Sequence, residues 1–165
     1  MSQLQLLYGQ VLANVIALTI LFLCWKYRTA GRLSLVLLFV WAGLYNLWAA
    51  FAVPEQYLVY AKLASATWYQ KFILGFFAEH TTAVVACIAL GQLAVAVLMS
   101  MRDTAVYLGL SGAIISLVAL APLGSGSAFP STLIAAFGAI LLLQFEYHTT
   151  LQGELRNALT HHVAH

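Results

Sequence analysis

The chain has 165 residues, of which 63% are apolar and only 7% are charged, and its net charge is +2. The mean hydropathy is +0.92. A soluble domain carries about 25% charged residues, so this composition excludes one, and the high hydrophobicity also excludes intrinsic disorder. The charge is too small and too scattered for a nucleic-acid partner. The composition therefore predicts an integral membrane protein, with the lipid bilayer as its surroundings.

Five apolar stretches are long enough, or nearly long enough, to cross a bilayer. A spanning helix needs about 20 mostly apolar residues because the hydrocarbon core is about 30 Å thick. No stretch contains an internal proline or a central Asp, Lys or Arg. In chain order the stretches are 4–25, 33–53, 81–101, 104–121 and 131–147, and a tail follows at 148–165. The sequence predicts one membrane domain over 1–165, an all-α integral membrane bundle of five transmembrane helices.

The segment 55–80 differs from these stretches because it combines two lysines with many aromatic rings. Rings with polar edges, such as those of Trp68 and Tyr69, are typical of the lipid headgroup level. We interpret the segment as an interfacial or partly re-entrant helix on the outer face. The alternative is a sixth span, in which Lys62 and Lys71 would have to extend to the surface or find partners.

The distribution of basic residues predicts the orientation in the membrane, because cytoplasmic loops carry an excess of Lys and Arg. With the N-terminus outside, Lys62 and Lys71 fall on the outer side. The inner side then receives Lys26, Arg28, Arg32, Arg102 and Arg156. We expect the N-terminus outside and the C-terminus in the cytoplasm, in a bacterial or archaeal plasma membrane.

Small side chains predict how the spans pack, because helices in lipid associate through close contact of small residues. Such residues recur at four-residue spacing in the third, fourth and fifth stretches: Ala83, Cys87 and Gly91; Ala105, Gly109 and Ala113; Ser131, Ala135 and Ala139. At the inner end of the fifth stretch, we expect the Glu146 carboxylate to pair with the basic loop at Lys26, Arg28 and Arg32.

Three amides, Asn14, Asn46 and Gln92, fall near the middle of predicted spans. An unpaired amide is costly in apolar surroundings, so each must find a partner or line a polar cavity. Two interpretations stay open: hydrogen bonding between helices, or contact with the head group of a ligand such as a quinone. We treat all three as candidate ligand-binding residues.

Glu79 and His80 stand at the outer start of the third span, beside the aromatic segment. A carboxylate next to an imidazole can exchange protons near neutral pH. The pair could equally be a solvated helix start, where a negative charge favours the helix dipole. We take Glu79 and His80 as catalytic candidates, with Trp68 and Tyr69 as the rings that an apolar ligand meets first.

The histidines do not predict a metal or haem site. A bis-histidine haem needs two imidazoles at the same depth on facing helices, whereas His80 and His148 fall at opposite ends of their spans. His161, His162 and His165 form a tail cluster with no carboxylate close by. We expect no bound metal and no haem, and quinone is the one cofactor considered.

The second to fourth stretches resemble a known family. The matching runs are Trp68-Tyr-Gln-Lys-Phe-Ile73, Ala89-Leu-Gly-Gln-Leu93 and Arg102-Asp-Thr-Ala105, preceded by Arg32-Leu-Ser-Leu35 and Trp41-Ala-Gly43. Over roughly residues 32–147 the chain resembles the DoxX/DoxD superfamily of small four-helix membrane proteins. The resemblance implies a four-helix core plus an extra N-terminal helix. Gln92 and Asn46 stand where the family pattern tends to have a glutamate and a lysine.

Three classes of function follow from these observations. The DoxD type is the small subunit of a thiosulfate:quinone oxidoreductase, so the resemblance implies a membrane subunit of a quinone-linked oxidoreductase complex. The shortage of ionisable groups in the spans favours instead a non-catalytic structural or assembly subunit, with partner subunits or a second copy of the chain. A transporter or lipid-binding protein is the third class, and no charged mid-span residue marks a pathway for it.

Overall fold

In a computed structural model, most of the described part of the chain is helical. The structure describes residues 3–59, 67–121 and 129–163, and no β-strand occurs within these ranges. The longer helices are α1 (Gln3–Lys26), α2 (Arg28–Ala52), α4 (Thr81–Ser100) and α5 (Thr104–Leu120). The shorter ones are α3 (Thr67–Phe72), α6 (Ser131–Leu142) and α7 (Leu151–Val163). A 3₁₀-helix (Pro54–Val59) follows α2, and a π-helical turn (Ile73–Phe77) follows α3.

Three helices are long and apolar enough to span a membrane, as expected of a membrane protein: Leu7–Lys26, Arg28–Ala52 and Thr81–Ser100. The other two predicted spans form shorter apolar helices. With a rise of about 1.5 Å per residue, α5 is about 25 Å long and α6 only about 18 Å. The fifth stretch is helical only to Leu142 rather than to Tyr147, because the chain turns at 143–145.

Five helices form a closed ring in the order α1, α2, α4, α5, α6, in which each helix packs against the next and α6 packs against α1. We call the two ends of this ring the arginine end and the aromatic end. The arginine end contains the α1–α2 link at Tyr27, the α4–α5 link and α7. The aromatic end contains the 3₁₀-helix, α3 and the start of α4.

The helices approach most closely at the arginine end. A Cβ atom on Gly31 would lie 2.5 Å from the Cα of Cys24, and one on Gly109 would lie 2.6 Å from the backbone nitrogen of Met99. The main buried cluster surrounds these contacts, with Leu35 and Leu142 fully buried. The tight packing fixes α2 against α1 and α5 against α4 at this end.

The predicted small-residue faces are confirmed in α5 and α6. Gly109 and Ala113 are buried on α5, as are Ala135 and Ala139 on α6.

The face predicted for the third stretch is wrong. Ala83, Cys87 and Gly91 are exposed, whereas α4 buries the face that contains Ala89 and Ala96. Alanine recurs on both faces of this helix, so side-chain size could not distinguish the two.

The segment 55–80 is not one continuous helix in its described parts. After the 3₁₀-helix, residues 60–66 lie outside the described residues. The π-helical turn then interrupts the second part, where Gly75 has the non-helical angles φ −100° and ψ −114°. Ile73 and Phe77 are buried against Ala50 and Val85, so this part of the segment packs on α2 and α4.

Candidate functional site

A mostly apolar cavity of about 380 Å³ lies inside the helix ring, towards the aromatic end. We call it the central cavity, and all five ring helices contribute to its wall. The exposed lining residues Leu12 and Ile16 of α1 and Trp41 of α2 show that it opens sideways between these two helices. The polar lining residues are Gln92 of α4, Ser116 of α5, and Ser131 and Thr132 of α6.

Gln92 reaches the cavity as the last member of a hydrogen-bond chain. The hydroxyl of Tyr57 donates to Oδ1 of Asn46 at 2.7 Å, and Nδ2 of Asn46 donates to Oε1 of Gln92 at 2.8 Å. The chain links the 3₁₀-helix, α2 and α4. Since the carbonyl of Gln92 accepts from Asn46, its amide nitrogen is left as a donor, and it donates to no described residue.

Thr132 supplies a second polar group in the wall. Its side chain is nine-tenths buried, and its hydroxyl has no hydrogen-bond partner among the described residues. A buried hydroxyl normally has a partner, because leaving it unpaired in apolar surroundings is costly. Gln92 and Thr132 therefore give the mostly apolar cavity two hydrogen-bonding groups from different helices, in addition to the hydroxyls of Ser116 and Ser131.

Of the three predicted mid-span amides, the structure brings two together. Asn46 and Gln92 hydrogen bond to each other, which matches the helix-to-helix interpretation, and Gln92 also lines the cavity. Asn14 is separate: its Nδ2 donates to the carbonyl oxygen of Gln10 within α1, and its buried Oδ1 has no partner among the described residues. Asn14 is not part of the cavity wall.

Glu79 and His80 line a shallow, open cleft at the aromatic end, together with Glu55. Both side chains are exposed. Nδ1 of His80 lies 3.1 Å from the carbonyl oxygen of Phe76, and its ring stacks on that of Phe76 with centroids 4.8 Å apart. The structure thus places the two candidates side by side in water-accessible positions, and their catalytic role stays a prediction.

Of the two aromatic residues predicted to accompany this pair, Trp68 does not line the cleft. Trp68 is 64% exposed on α3, and it is absent from the walls of both the cleft and the central cavity. The side chain of Tyr69 lies outside the described part of the structure. The cleft and the central cavity are separate sites, since no lining residue is common to both.

At the arginine end, a buried carboxylate holds α7 against α2. Oε1 of Glu154 accepts from Nη1 of Arg32 at 3.2 Å and from Nη2 of Arg28 at 3.4 Å, and Oε2 accepts from the hydroxyl of Thr29 at 3.1 Å. We call Arg28, Thr29, Arg32, Tyr147 and Glu154 the arginine cluster. Arg32 is fully buried, so its charge is neutralised inside the protein rather than by solvent.

Backbone and aromatic contacts complete the surroundings of Arg32. Nε donates to the carbonyl oxygen of Met99 at 2.6 Å, and Nη2 donates to that of Met101. Its guanidinium carbon lies 4.9 Å from the ring centroid of Tyr147. Arg32 therefore satisfies the carbonyls at the end of α4 while binding the carboxylate of α7.

Tyr147 connects the link after α6 to the α4–α5 link. Its hydroxyl donates to the carbonyl oxygen of Leu142 at 2.7 Å, and its own carbonyl oxygen accepts from the backbone nitrogen of Asp103 at 2.6 Å. Burial raises the pKa of Tyr147 to about 12, because the phenolate would lose its solvation there.

The partner of the buried Arg32 is Glu154, which the sequence pattern did not identify. The expected pairing of Glu146 with the basic loop is wrong: its carboxylate lies 3.0 Å from Nε2 of His148, and only its backbone carbonyl accepts from Arg28. The sequence did contain features that mark 151–163 as a helix packed on the ring, with Glu154 next to its apolar face. Thr150 caps α7 by accepting from the backbone nitrogen of Gly153, and Leu151 and Leu155 at four-residue spacing mark a face that packs on the ring.

Within the described residues, no group of three or more His, Cys, Asp or Glu side chains could hold a metal ion. The predicted tail cluster lies outside this description, since His165 and the side chains of His161 and His162 are not among the described parts of the chain. No family model, curated protein or solved structure matches the chain.

Proposed function

We propose that the chain is a small membrane-embedded subunit that binds an apolar ligand with a carbonyl head group, of the quinone type, in the central cavity. One observation carries the proposal: Gln92 ends a hydrogen-bond chain at the cavity wall with its amide nitrogen left to donate. A carbonyl oxygen is a suitable acceptor for this group. The unpartnered hydroxyl of Thr132 offers a second hydrogen bond from another helix.

The size and opening of the cavity agree with such a ligand. Ligand pockets commonly have volumes of about 300 to 1,000 Å³ with few polar groups among apolar ones, and this cavity measures about 380 Å³. That volume accommodates a ring head group and a short tail. A longer apolar tail would leave through the opening between α1 and α2, which faces the lipid.

The chemistry of the lining residues also bears on the role of the chain. None of the lining residues that the structure describes is ionisable. The cavity therefore supplies hydrogen bonds and apolar contact but no group that exchanges a proton, whereas a bound quinone would itself supply the electron-accepting chemistry. This favours an accessory, ligand-holding subunit of a quinone-linked complex, with the redox partner on another chain.

Substitution of Gln92 tests the proposal. We expect Gln92→Leu to weaken the binding of a short-chain ubiquinone analogue about tenfold, since one lost hydrogen bond contributes about 1 to 1.5 kcal/mol. Binding is measured by quenching of tryptophan fluorescence in detergent, because Trp41 lies at the cavity mouth.

Gln144→Leu is the matched control, because Gln144 is exposed in the turn after α6 and does not line the cavity. Equal affinities in the parent and in both variants would contradict the proposed ligand contact. Extraction of a lipid rather than a quinone from the gently purified protein would favour the lipid-binding alternative.

A second candidate function, a structural or assembly subunit, is favoured by an exposed aromatic stripe on α2. Trp41 stacks on Tyr45 with ring centroids 5.8 Å apart, and Trp48 follows at 5.8 Å from Tyr45. Trp41 is 67% exposed and lies about 20 Å along the helix from Arg28. Tryptophan in lipid prefers the headgroup level, so an exposed ring at mid-depth favours a partner helix.

Co-purification tests this second function. If the stripe binds a partner subunit, Trp48→Leu should release chains that co-migrate with the parent protein, while Leu108→Ala on the exposed face of α5 should retain them. Loss of no partner from either variant would count against it.

The finer expectations about topology belong to the same proposal. They are five spans, the N-terminus outside, the C-terminus in the cytoplasm, a bacterial or archaeal plasma membrane and a DoxX-like core. The distribution of basic residues supports the orientation: Arg28, Arg32, Arg102 and Arg156 all belong to the arginine end. The resemblance over roughly residues 32–147 supports the core.

A further inference from the structure

One carboxylate, Glu154, makes the polar contacts between the described part of α7 and the helix ring. Of the side chains described on α7, only Leu151 and Glu154 are buried, and Leu155 is partly buried. The remaining described side chains along the helix are exposed, namely Gln152, Arg156, Asn157, Ala158 and Thr160. Among the described side chains of α7, the apolar contact is limited to these two leucines, and the three hydrogen bonds to Glu154 are the polar contacts that hold the helix to α2.

The groups that hold this carboxylate form a set of donors suited to a phosphate. Arg28 and Arg32 present two guanidinium groups, and Thr29 adds a hydroxyl, all directed at the same pair of oxygens. Guanidinium groups match the geometry of carboxylate and phosphate oxygens alike. The donors belong to the first residues of α2, at the end of a candidate membrane span.

Exposed basic side chains lie around the cluster, although Arg102 among them is paired with the Asp103 carboxylate at 3.5 Å. The side chain of Arg28 is 40% exposed, and Lys26 and Arg102 are exposed on the neighbouring helix ends. Basic residues next to the ends of spanning helices attract anionic lipids. A lipid phosphate at the membrane surface can therefore approach Arg28 without crossing apolar protein.

We propose that Arg28, Thr29 and Arg32 form a binding site for the phosphate group of an anionic phospholipid, and that Glu154 of α7 occupies this site as an internal competitor. The inference is independent of the quinone-type ligand, which would bind nearer the other end of the ring. When a lipid phosphate replaces the carboxylate, α7 separates from α2.

The burial of Arg32 explains why one anion must replace the other. A fully buried guanidinium without an anionic partner is strongly destabilising. Its bonds to the carbonyl oxygens of Met99 and Met101 do not involve α7, so they keep the side chain in place during the exchange. The site therefore persists when Glu154 leaves, provided that a second anion neutralises it.

Lipid binding to variants of the carboxylate tests the competition. We expect Glu154→Gln to bind phosphatidylglycerol at least fivefold more tightly than the parent, measured by native mass spectrometry from detergent. Adding Arg28→Gln to that variant should abolish the gain. Glu146→Gln is the matched control, because it removes the same charge from an exposed carboxylate at the same end, and it should show no gain.

The mobility of α7 gives a second test, in a chain whose arginine cluster is unchanged. A spin label at Asn157, with the exposed Cys87 replaced by alanine, should be immobile in phosphatidylcholine nanodiscs. It should become mobile when phosphatidylglycerol is included, and inorganic phosphate added to phosphatidylcholine discs should leave it immobile.

Three results would overturn the proposal. They are equal phosphatidylglycerol affinity in the parent and in Glu154→Gln, an equal gain in Glu146→Gln, and a label at Asn157 that stays immobile in phosphatidylglycerol discs. Release by inorganic phosphate to the same extent as by phosphatidylglycerol would refute the lipid as the source of the phosphate.

Discussion

Asp103 has a positive φ of 55°, which no other described non-glycine residue shares. With ψ at −137°, this conformation is one that glycine adopts easily and that other residues adopt at a cost of about 1 to 3 kcal/mol. The hydrogen bond from its backbone nitrogen to Tyr147 holds the residue in place. The α4–α5 link therefore stores strain so that these two helices can pack closely.

Replacing Asp103 with glycine should relieve this strain. We expect Asp103→Gly to raise the free energy of unfolding by about 1 kcal/mol, after the greater freedom of glycine in the unfolded chain is subtracted. Asp103→Ala keeps the strain and loses only an exposed ion pair with Arg102, so it should not be stabilising. The melting temperatures of the two variants are measured in detergent by circular dichroism. Equal values would contradict the proposal that Asp103 is strained.

The raised pKa of Tyr147 predicts that the protein loses stability at alkaline pH. Its pKa is about 12 in the folded protein, against 10 for an ordinary tyrosine, so the unfolded chain loses this proton first as the pH rises. The stabilising contribution is complete below pH 10 and is lost between pH 10 and 12, at up to about 1.4 kcal/mol per pH unit.

We therefore expect the melting temperature of the parent to fall more steeply than that of Tyr147→Phe over this interval. Tyr27→Phe, which removes an exposed tyrosine near the same end, should follow the parent. Parallel curves for the parent and Tyr147→Phe would remove Tyr147 as the cause.

At the scale of helices, two glycines on neighbouring helices have the same helix propensity but different packing. Gly109 of α5 contacts the backbone at Met99, whereas nothing lies within 4 Å of the position where a Cβ on Gly91 of α4 would stand. Alanine is the better helix former at both positions. Only the first position has a neighbour that the added methyl group would displace.

The two glycine variants should therefore change stability in opposite directions. We expect Gly109→Ala to lower the free energy of unfolding by about 1 to 3 kcal/mol, because the backbones of α4 and α5 must separate. Gly91→Ala should be neutral or stabilising by up to about 1 kcal/mol. Unfolding in detergent measures both changes, and an equal loss in the two variants would mean that the approach at Gly109 is not the cause.

At the scale of the whole molecule, the ring places charged and aromatic groups at opposite ends. The arginine cluster lies where α1, α4 and α6 end, and Glu79 and His80 lie where α4 begins. The central cavity lies between these ends, nearer to the second. This arrangement means that one labelling experiment tests the orientation of both surface sites.

Accessibility in intact cells should distinguish the two ends. With Cys87 replaced by alanine, we expect a membrane-impermeant maleimide to label Glu79→Cys directly and to label Arg102→Cys only after permeabilisation. Both positions are exposed, so access to the reagent and not burial decides the result. Labelling in the reverse order would contradict the predicted orientation and would move the proposed phospholipid site to the outer leaflet.

The amino-acid sequence was sufficient for the features that depend on composition and local periodicity. Low charge and long apolar stretches predicted a helical membrane protein, and three of the stretches form helices of spanning length. The amides Asn46 and Gln92 were identified because polar groups in an apolar stretch need partners wherever the helices lie. The bounds of α5 were predicted to within one residue, whereas the length of α6 was overestimated because apolar residues continue past the turn at 143–145.

Only the tertiary structure decided which side chains meet. The central cavity is formed by residues from five helices, and no pattern within one helix shows that Thr132 would share its wall with Gln92. The partner of Arg32 is Glu154, 122 residues later in the chain, rather than the nearer Glu146. A buried charge needs a partner, and this can be expected from the sequence. Which of the distant carboxylates becomes the partner depends on how the helices pack, and this is a property of the whole ring.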